Sequence, residues 1–314
     1  MNGVQNCKTR HSLGFRICQN HHFMKLFPVV TIPCFVSFLS LFSFFPILIA
    51  QVNPVEVEEH DSGKEITIAV AANFKNPLEE MKVLFQKKFP HWKIITLYGS
   101  SGHLTNQIRN GANVNIFLSA DLDFPNSLYD DGFSDSPPEV YAEGILVLVS
   151  NNSLTSFQNI EQILVSPNTK FIAIANPRTA PYGKVTVEYL KHLGILQSIE
   201  AKLVYGESVT QVSQFVFASA ADVGFTSYSS VKANEMDWKD WKPLDPKKVP
   251  SLRQGKLLLK PQGPITDEKK LIMKQLYELI GSKELDPILK KYGYKIPNRN
   301  SIRKDTGSKR GKSF

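Results

Sequence analysis

The sequence has no cysteine after Cys34; Cys7, Cys18 and Cys34 all lie within or before an apolar N-terminal stretch. The body of the protein therefore has no disulfide framework and no thiolate metal site, and must be held by its core. Also missing are HExxH, GxSxG, a P-loop, and a GxGxxG followed by a ribose-binding acid. Zinc-protease, serine-hydrolase and nucleotide chemistries thus have no motif to rest on. Ser101 and His103 are close in sequence but point to different sides of a helix, and Asp121 and Asp123 are explained by capping and turn formation. Aromatic residues do not interleave with Lys269, Lys270, Lys274, Lys290 and Lys291, which alternate with apolar positions as the solvent side of a helix does. A nucleic-acid partner is not indicated.

What is present is a globular composition: 314 residues, 42% apolar and 21% charged, enough for one large or two medium cores. The net charge of +8 is concentrated partly in a basic tail, residues 298–314, where Arg299, Arg303, Lys304, Lys309, Arg310 and Lys312 are opposed by Asp305 alone. Such a run reads as solvated and disordered. At the other end, within residues 1–50, Phe27 to Ala50 carries no charge and follows Lys25. This is an export signal or an uncleaved membrane anchor, with Ala50 as a cleavage point and Met24 as a more conventional start.

From Lys64 onward, short apolar runs alternate with helical periodicity, the pattern of mixed or parallel sheets covered by helices. Strands are predicted at Ile66–Val70, Ile94–Tyr98, Asn115–Leu118, Gly144–Val149, Phe171–Ala175, Lys202–Tyr205 and Val223–Thr226. Leu78, Met81, Leu84, Phe85 and Phe89 mark a first helix; Leu104 and Ile108 mark a second, stopped by Gly111. Further helices carry Val187, Leu190 and Leu193, then Val212, Phe215 and Val216, and two more are expected over Asp267–Gly281 and Lys283–Tyr292. The unit of strand, polar turn and helix occurs in two successive blocks, so an α/β protein of two lobes is expected: residues 64–142 with 256–297 in the first, 143–255 in the second.

Several strand-to-helix turns carry small or hydroxylated residues: Ala71-Ala72-Asn73, Ser100-Ser101-Gly102, Ala180-Pro181-Tyr182-Gly183 and Glu207-Ser208-Val209-Thr210. In an open sheet such turns gather at the carboxyl edges of the strands, where ligands bind. Helices starting there aim unpaired N–H groups and their positive dipole ends into the same space, which attracts anions without a cation. Each turn taken alone reads first as an ordinary N-cap. Their number and equivalent positions make an anion site an equal alternative.

These stretches, with Asn115-Ile116-Phe117-Leu118-Ser119-Ala120-Asp121, Asn176-Pro177, Val223-Gly224-Phe225 and the closing Lys291-Tyr292-Gly293-Tyr294, resemble the molybdate-binding proteins of ABC transporters from Lys64 to Pro297. The resemblance implies a type II periplasmic binding fold, with the ligand in the cleft between two lobes and no catalysis. It also implies a monomeric, exported receptor that passes molybdate, or the nearly isosteric tungstate, to permease subunits; no cofactor and no free-cation site are expected. Carried over by position, the oxyanion contacts are Asn73, Ser101 with Ser100 beside it, the backbone N–H groups of Tyr182 and Val209, and Ser227 where some relatives place a Tyr hydroxyl. Arg178 is expected on the rim. Sulfate or another small oxyanion, or a sensor or enzyme on the same fold, are the alternatives.

Overall fold

The computed structural model describes residues 64–298 apart from 154–158, 234–235 and 237. Residues 1–63, with the apolar segment and all three cysteines, and the basic tail from Arg299 lie outside these residues. In chain order the elements are β1 (Glu65–Ala71), a 3-10 turn (Ala72–Phe74), α1 (Lys75–Lys88), β2 (Lys93–Gly99), α2 (Ser101–Arg109), β3 (Ile116–Leu118), α3 (Asp123–Asp130) and β4 (Glu139–Gly144). There follow β5 (Leu146–Ser150), α4 (Ile160–Val165), β6 (Ile172–Ala175), α5 (Pro181–His192), α6 (Leu196–Ile199), β7 (Leu203–Gly206), α7 (Val209–Phe217), β8 (Val223–Ser227), α8 (Tyr228–Lys232) and β9 (Asp240–Pro243). The chain ends with β10 (Leu252–Leu258), α9 (Asp267–Leu279) and α10 (Asp286–Lys291).

The strands form two five-stranded mixed sheets, ordered β2-β1-β3-β10-β4 and β7-β6-β8-β5-β9. In the first, β1 runs parallel to β2 and β3 while β10 is antiparallel to β3 and β4. The second repeats the plan, with β6 parallel to β7 and β8 and β5 antiparallel to β8 and β9. The chain leaves the first sheet at Gly144, enters the second at Leu146, and returns between Pro243 and Leu252. This is the two-lobed type II arrangement.

Burial on both faces explains why the central strands read as near-continuous apolar runs, whereas the edge strands β2, β7 and β9 are partly exposed. Alternate residues of β1 serve different cores: Ile66, Ile68 and Val70 meet Phe74, Leu78 and Phe85 of the first turn and α1, with Leu276 and Leu289 of the C-terminal helices, whereas Ala69 faces Leu104, Ile108 and Leu128 of α2 and α3. The C-terminal helices therefore complete the first lobe. Gly111 ends the turn after α2 at φ +89°, as its position predicts.

The structure differs from expectation in four strands. The run from Gly144 to Val149 is not one strand but the end of β4 and most of β5, divided at Ile145, where the lobes join. β9 and β10 had no apolar signature. In β10 the sequence Leu-Arg-Gln-Gly-Lys-Leu-Leu contains Gln254 and Lys256, both buried, and a register shift between Gln254 and Gly255 breaks its alternation. Consequently Leu252–Gly255, read as lobe two, and Glu143–Gly144 lie on strands of the first sheet.

Candidate functional site

The four donor-bearing turns meet between the lobes. Ala71, Ala72, Asn73, Gly99, Ser100, Ser101 and Ala120 from lobe one face Ala180, Pro181, Tyr182, Ser208 and Val209 from lobe two around about 210 Å³ of empty volume. None of these side chains is charged. The positive field in the cleft comes from the helices: α2 and α7, nine residues each, and α5, twelve, all begin here. Among the described residues, the N–H groups of Asn73, Ser101, Tyr182 and Val209 meet no acceptor, as expected of the first turns of helices.

Individual turns differ in what their side chains do. Ser208 is a true cap, accepting the N–H of Gln211 at 3.4 Å. Ser100 occupies the same place ahead of α2 but makes no capping bond, so capping does not account for its hydroxyl. Ser101 is fully buried, and its Oγ accepts the N–H of Ala120 at 3.0 Å. With that acceptor position filled, the hydroxyl proton is free to be donated. Pro181 lies in the first turn of α5, where its missing N–H costs nothing, and leaves Tyr182 as the first donor of that helix.

The side chains of the remaining expected contacts are engaged elsewhere. Both amide hydrogens of Asn73 are committed, to Gln254 Oε1 at 3.0 Å and to Tyr294 Oη at 2.9 Å, so only its backbone N–H remains to face the cleft. Ser227 does not line the cleft. It caps the short α8, accepting the N–H of Ser230 at 3.3 Å, because the chain turns into that helix directly after β8. Arg178 and His103 are exposed. Asp121 accepts from Ser119 Oγ at 2.9 Å and from the N–H of Phe124 at 3.3 Å, a turn-forming role, and burial raises its carboxyl to about 6.

Contacts across the cleft were not legible in the sequence. The N–H of Gly102 donates to the carbonyl of Thr179 at 2.8 Å, Lys184 pairs with Asp123 at 2.8 Å, and Ser229 Oγ donates to the carbonyl of Asn73 at 2.8 Å. The lobes are thus closed upon each other. Behind the cleft, Gln254 Oε1 also accepts from Tyr141 Oη at 2.9 Å, and Gln254 Nε2 lies 3.4 Å from Tyr182 Oη. Burial pushes the phenols of Tyr141, Tyr182 and Tyr294 upward, so all three stay protonated. Gln254 stands between Arg253 and Gly255, so its sequence neighbours gave no signal for this network. Among the described residues no group of three or more His, Cys, Asp or Glu side chains is arranged to hold a metal ion, and no helix is long and apolar enough to cross a membrane.

Comparison with known proteins agrees with this geometry. Residues 66–295 match the family described as bacterial extracellular solute-binding protein. The molybdate-binding protein of Rhodobacter capsulatus is 33% identical over 231 residues, covering 73% of this chain and 88% of that protein. The solved periplasmic molybdate-binding protein of Azotobacter vinelandii superposes with a TM-score of 0.66 at 29% identity, covering 74% of this chain and 99% of that one. A sulfate-binding protein of Mycobacterium tuberculosis, at 12% identity and a TM-score of 0.62, shares the fold. The chain therefore belongs to the molybdate-binding protein family of bacterial extracellular solute-binding proteins, non-enzymatic receptors that serve ABC transporters.

Proposed function

We propose that the protein binds molybdate between its lobes, outside the cytoplasm, and delivers it as a monomer to the permease subunits of an ABC transporter. The observation that carries this reading is a cleft lined by neutral donors from both lobes with no charged side chain. Asn73, Ser101, Tyr182 and Val209 offer backbone N–H groups, and Ser100 and Ser101 offer hydroxyls. Molybdate is a fully deprotonated tetrahedral dianion at neutral pH, so donors alone satisfy it. Singly protonated phosphate would present an O–H to a donor and lose a bond. Sulfate is deprotonated but smaller, so size must discriminate against it. Tungstate, nearly the same size as molybdate, is accepted. The family's extracellular setting suits the apolar segment Phe27–Ala50 as its export signal or anchor.

Because donors stand on both lobes, an anion completes its coordination only when the lobes are shut, and hinge closure follows from binding. Isothermal titration with molybdate, tungstate, sulfate and phosphate tests the reading. Tight binding of the first two alone supports it; preference for sulfate or phosphate, or no oxyanion binding, overturns it.

A further inference from the structure

We infer that Ser229 and Tyr294 form a latch for lobe closure, positioning residues that grip the carbonyl of Asn73 from opposite lobes. The inference rests on the anion-receptor reading above. Ser229 stands on α8, between strands β8 and β9 of the second sheet, and Tyr294 closes the Tyr292-Gly293-Tyr294 segment that follows α10 in the first lobe. The Tyr294 hydroxyl donates to Asn73 O at 2.7 Å and accepts from Asn73 Nδ2 at 2.9 Å; Ser229 Oγ donates to the same carbonyl at 2.8 Å and lies 3.1 Å from Tyr294 Oη. All three residues are at most 5% exposed.

The seat of the latch is also built for close approach. Gly293 has φ +74°, and a Cβ there would stand 2.4 and 2.7 Å from ring carbons of Tyr228, the first residue of α8. The helix of lobe two therefore rests on bare backbone of lobe one, next to the tyrosine that holds Asn73. Asn73 in turn presents its N–H to the cleft. When the lobes separate, Tyr294 keeps its bonds to Asn73, but the bond of Ser229 to the Asn73 carbonyl is lost. The latch thus adds to closure without touching the anion, and should act on affinity without acting on selectivity.

The test compares the full chain with Ser229→Ala, Tyr294→Phe and the double variant, by calorimetry, stopped-flow dissociation and melting with and without molybdate. One neutral hydrogen bond confined to the closed state corresponds to roughly three- to tenfold in affinity. Ser229→Ala is expected to weaken molybdate and tungstate equally by that factor, through faster dissociation, and to shrink the rise in melting temperature that molybdate produces. The double variant is expected to lose less than the product of the single losses, because both hydroxyls serve one carbonyl. A merely structural role would lower the anion-free melting temperature and leave the dissociation constant and rate unchanged, which would overturn the latch. Absence of oxyanion binding by the unsubstituted chain would overturn the receptor reading itself, and is told apart because it appears without any substitution.

Discussion

Replacing Gly102 with alanine probes closure of the lobes without removing any donor of the cleft. A Cβ at this position would lie 2.8 Å from Phe124 Cζ and 2.9 Å from Thr179 Cα, against an optimum of about 3.5–4.0 Å for carbon pairs. Phe124 belongs to the same lobe, and the end of its ring can swing aside. Thr179 is backbone of the opposite lobe, and its carbonyl is held by the Gly102 N–H at 2.8 Å, so relief there requires the lobes to part. Overpacking of this kind costs about 1–3 kcal/mol. Since it falls on the closed state alone, molybdate should bind roughly 5- to 150-fold more weakly. The anion-free protein should melt no lower, because alanine favours a helix over glycine by up to about 1 kcal/mol. Calorimetry and thermal melts decide the matter. A dissociation constant within twofold of the unsubstituted protein, or a loss confined to anion-free stability, would refute the argument that this face closes on the ligand.

Ser101→Ala removes a hydroxyl aimed by the Ala120 N–H and should weaken molybdate by about 10- to 150-fold, the value of a hydrogen bond to a charged group of about 1.5–3 kcal/mol; calorimetry reads the loss. The carboxyl of Asp121, raised by burial to about 6, binds its proton more tightly in the folded chain than in the unfolded one. Between the unfolded value of about 3.9 and the folded value the native state carries more protons, so this group's contribution to stability rises as pH falls through that window. Asp121→Asn should flatten that dependence in melts taken from pH 4 to 7 and raise stability at neutral pH. The Lys184–Asp123 pair bridges the lobes with side chains 53% and 71% exposed. An ion pair so exposed contributes about 1 kcal/mol at most; Lys184→Ala should change molybdate affinity by less than about fivefold, and by nothing measurable in high salt.

Residue patterns made much of the architecture legible. β1, β2, β6, β7 and β8 are apolar runs, and α1, α2, α5, α7 and α9 show helical periodicity, because each of these elements packs apolar side chains against a core. The turns between them announced themselves through Ser100, Ser101, Pro181 and Ser208. β10 was concealed because Gln254 and Lys256 turn polar groups into the interior, satisfied by partners far away in sequence: Lys256 bonds the Tyr277 carbonyl at 2.8 Å and Glu139 at 3.2 Å. Ser227 illustrates the converse. Its position after the last strand of the block suggested a ligand contact, yet a cap one turn long claims its oxygen, and Ser229 reaches across to Asn73 instead.

The sequence by itself determined the class of the protein and the chemistry of its donors. Periodicity follows from which residues must be buried, and a polar turn ahead of a helix carries unpaired N–H groups wherever it is placed. Only the tertiary structure decided that four such turns, drawn from 138 positions of chain between Ala72 and Val209, face one another across a single cleft. It alone joined Gly102 to Thr179 and Asn73 to Ser229 and Tyr294. Those contacts depend on the two crossovers between the sheets, and no local pattern of residues encodes which surfaces of two separately folded layers will meet.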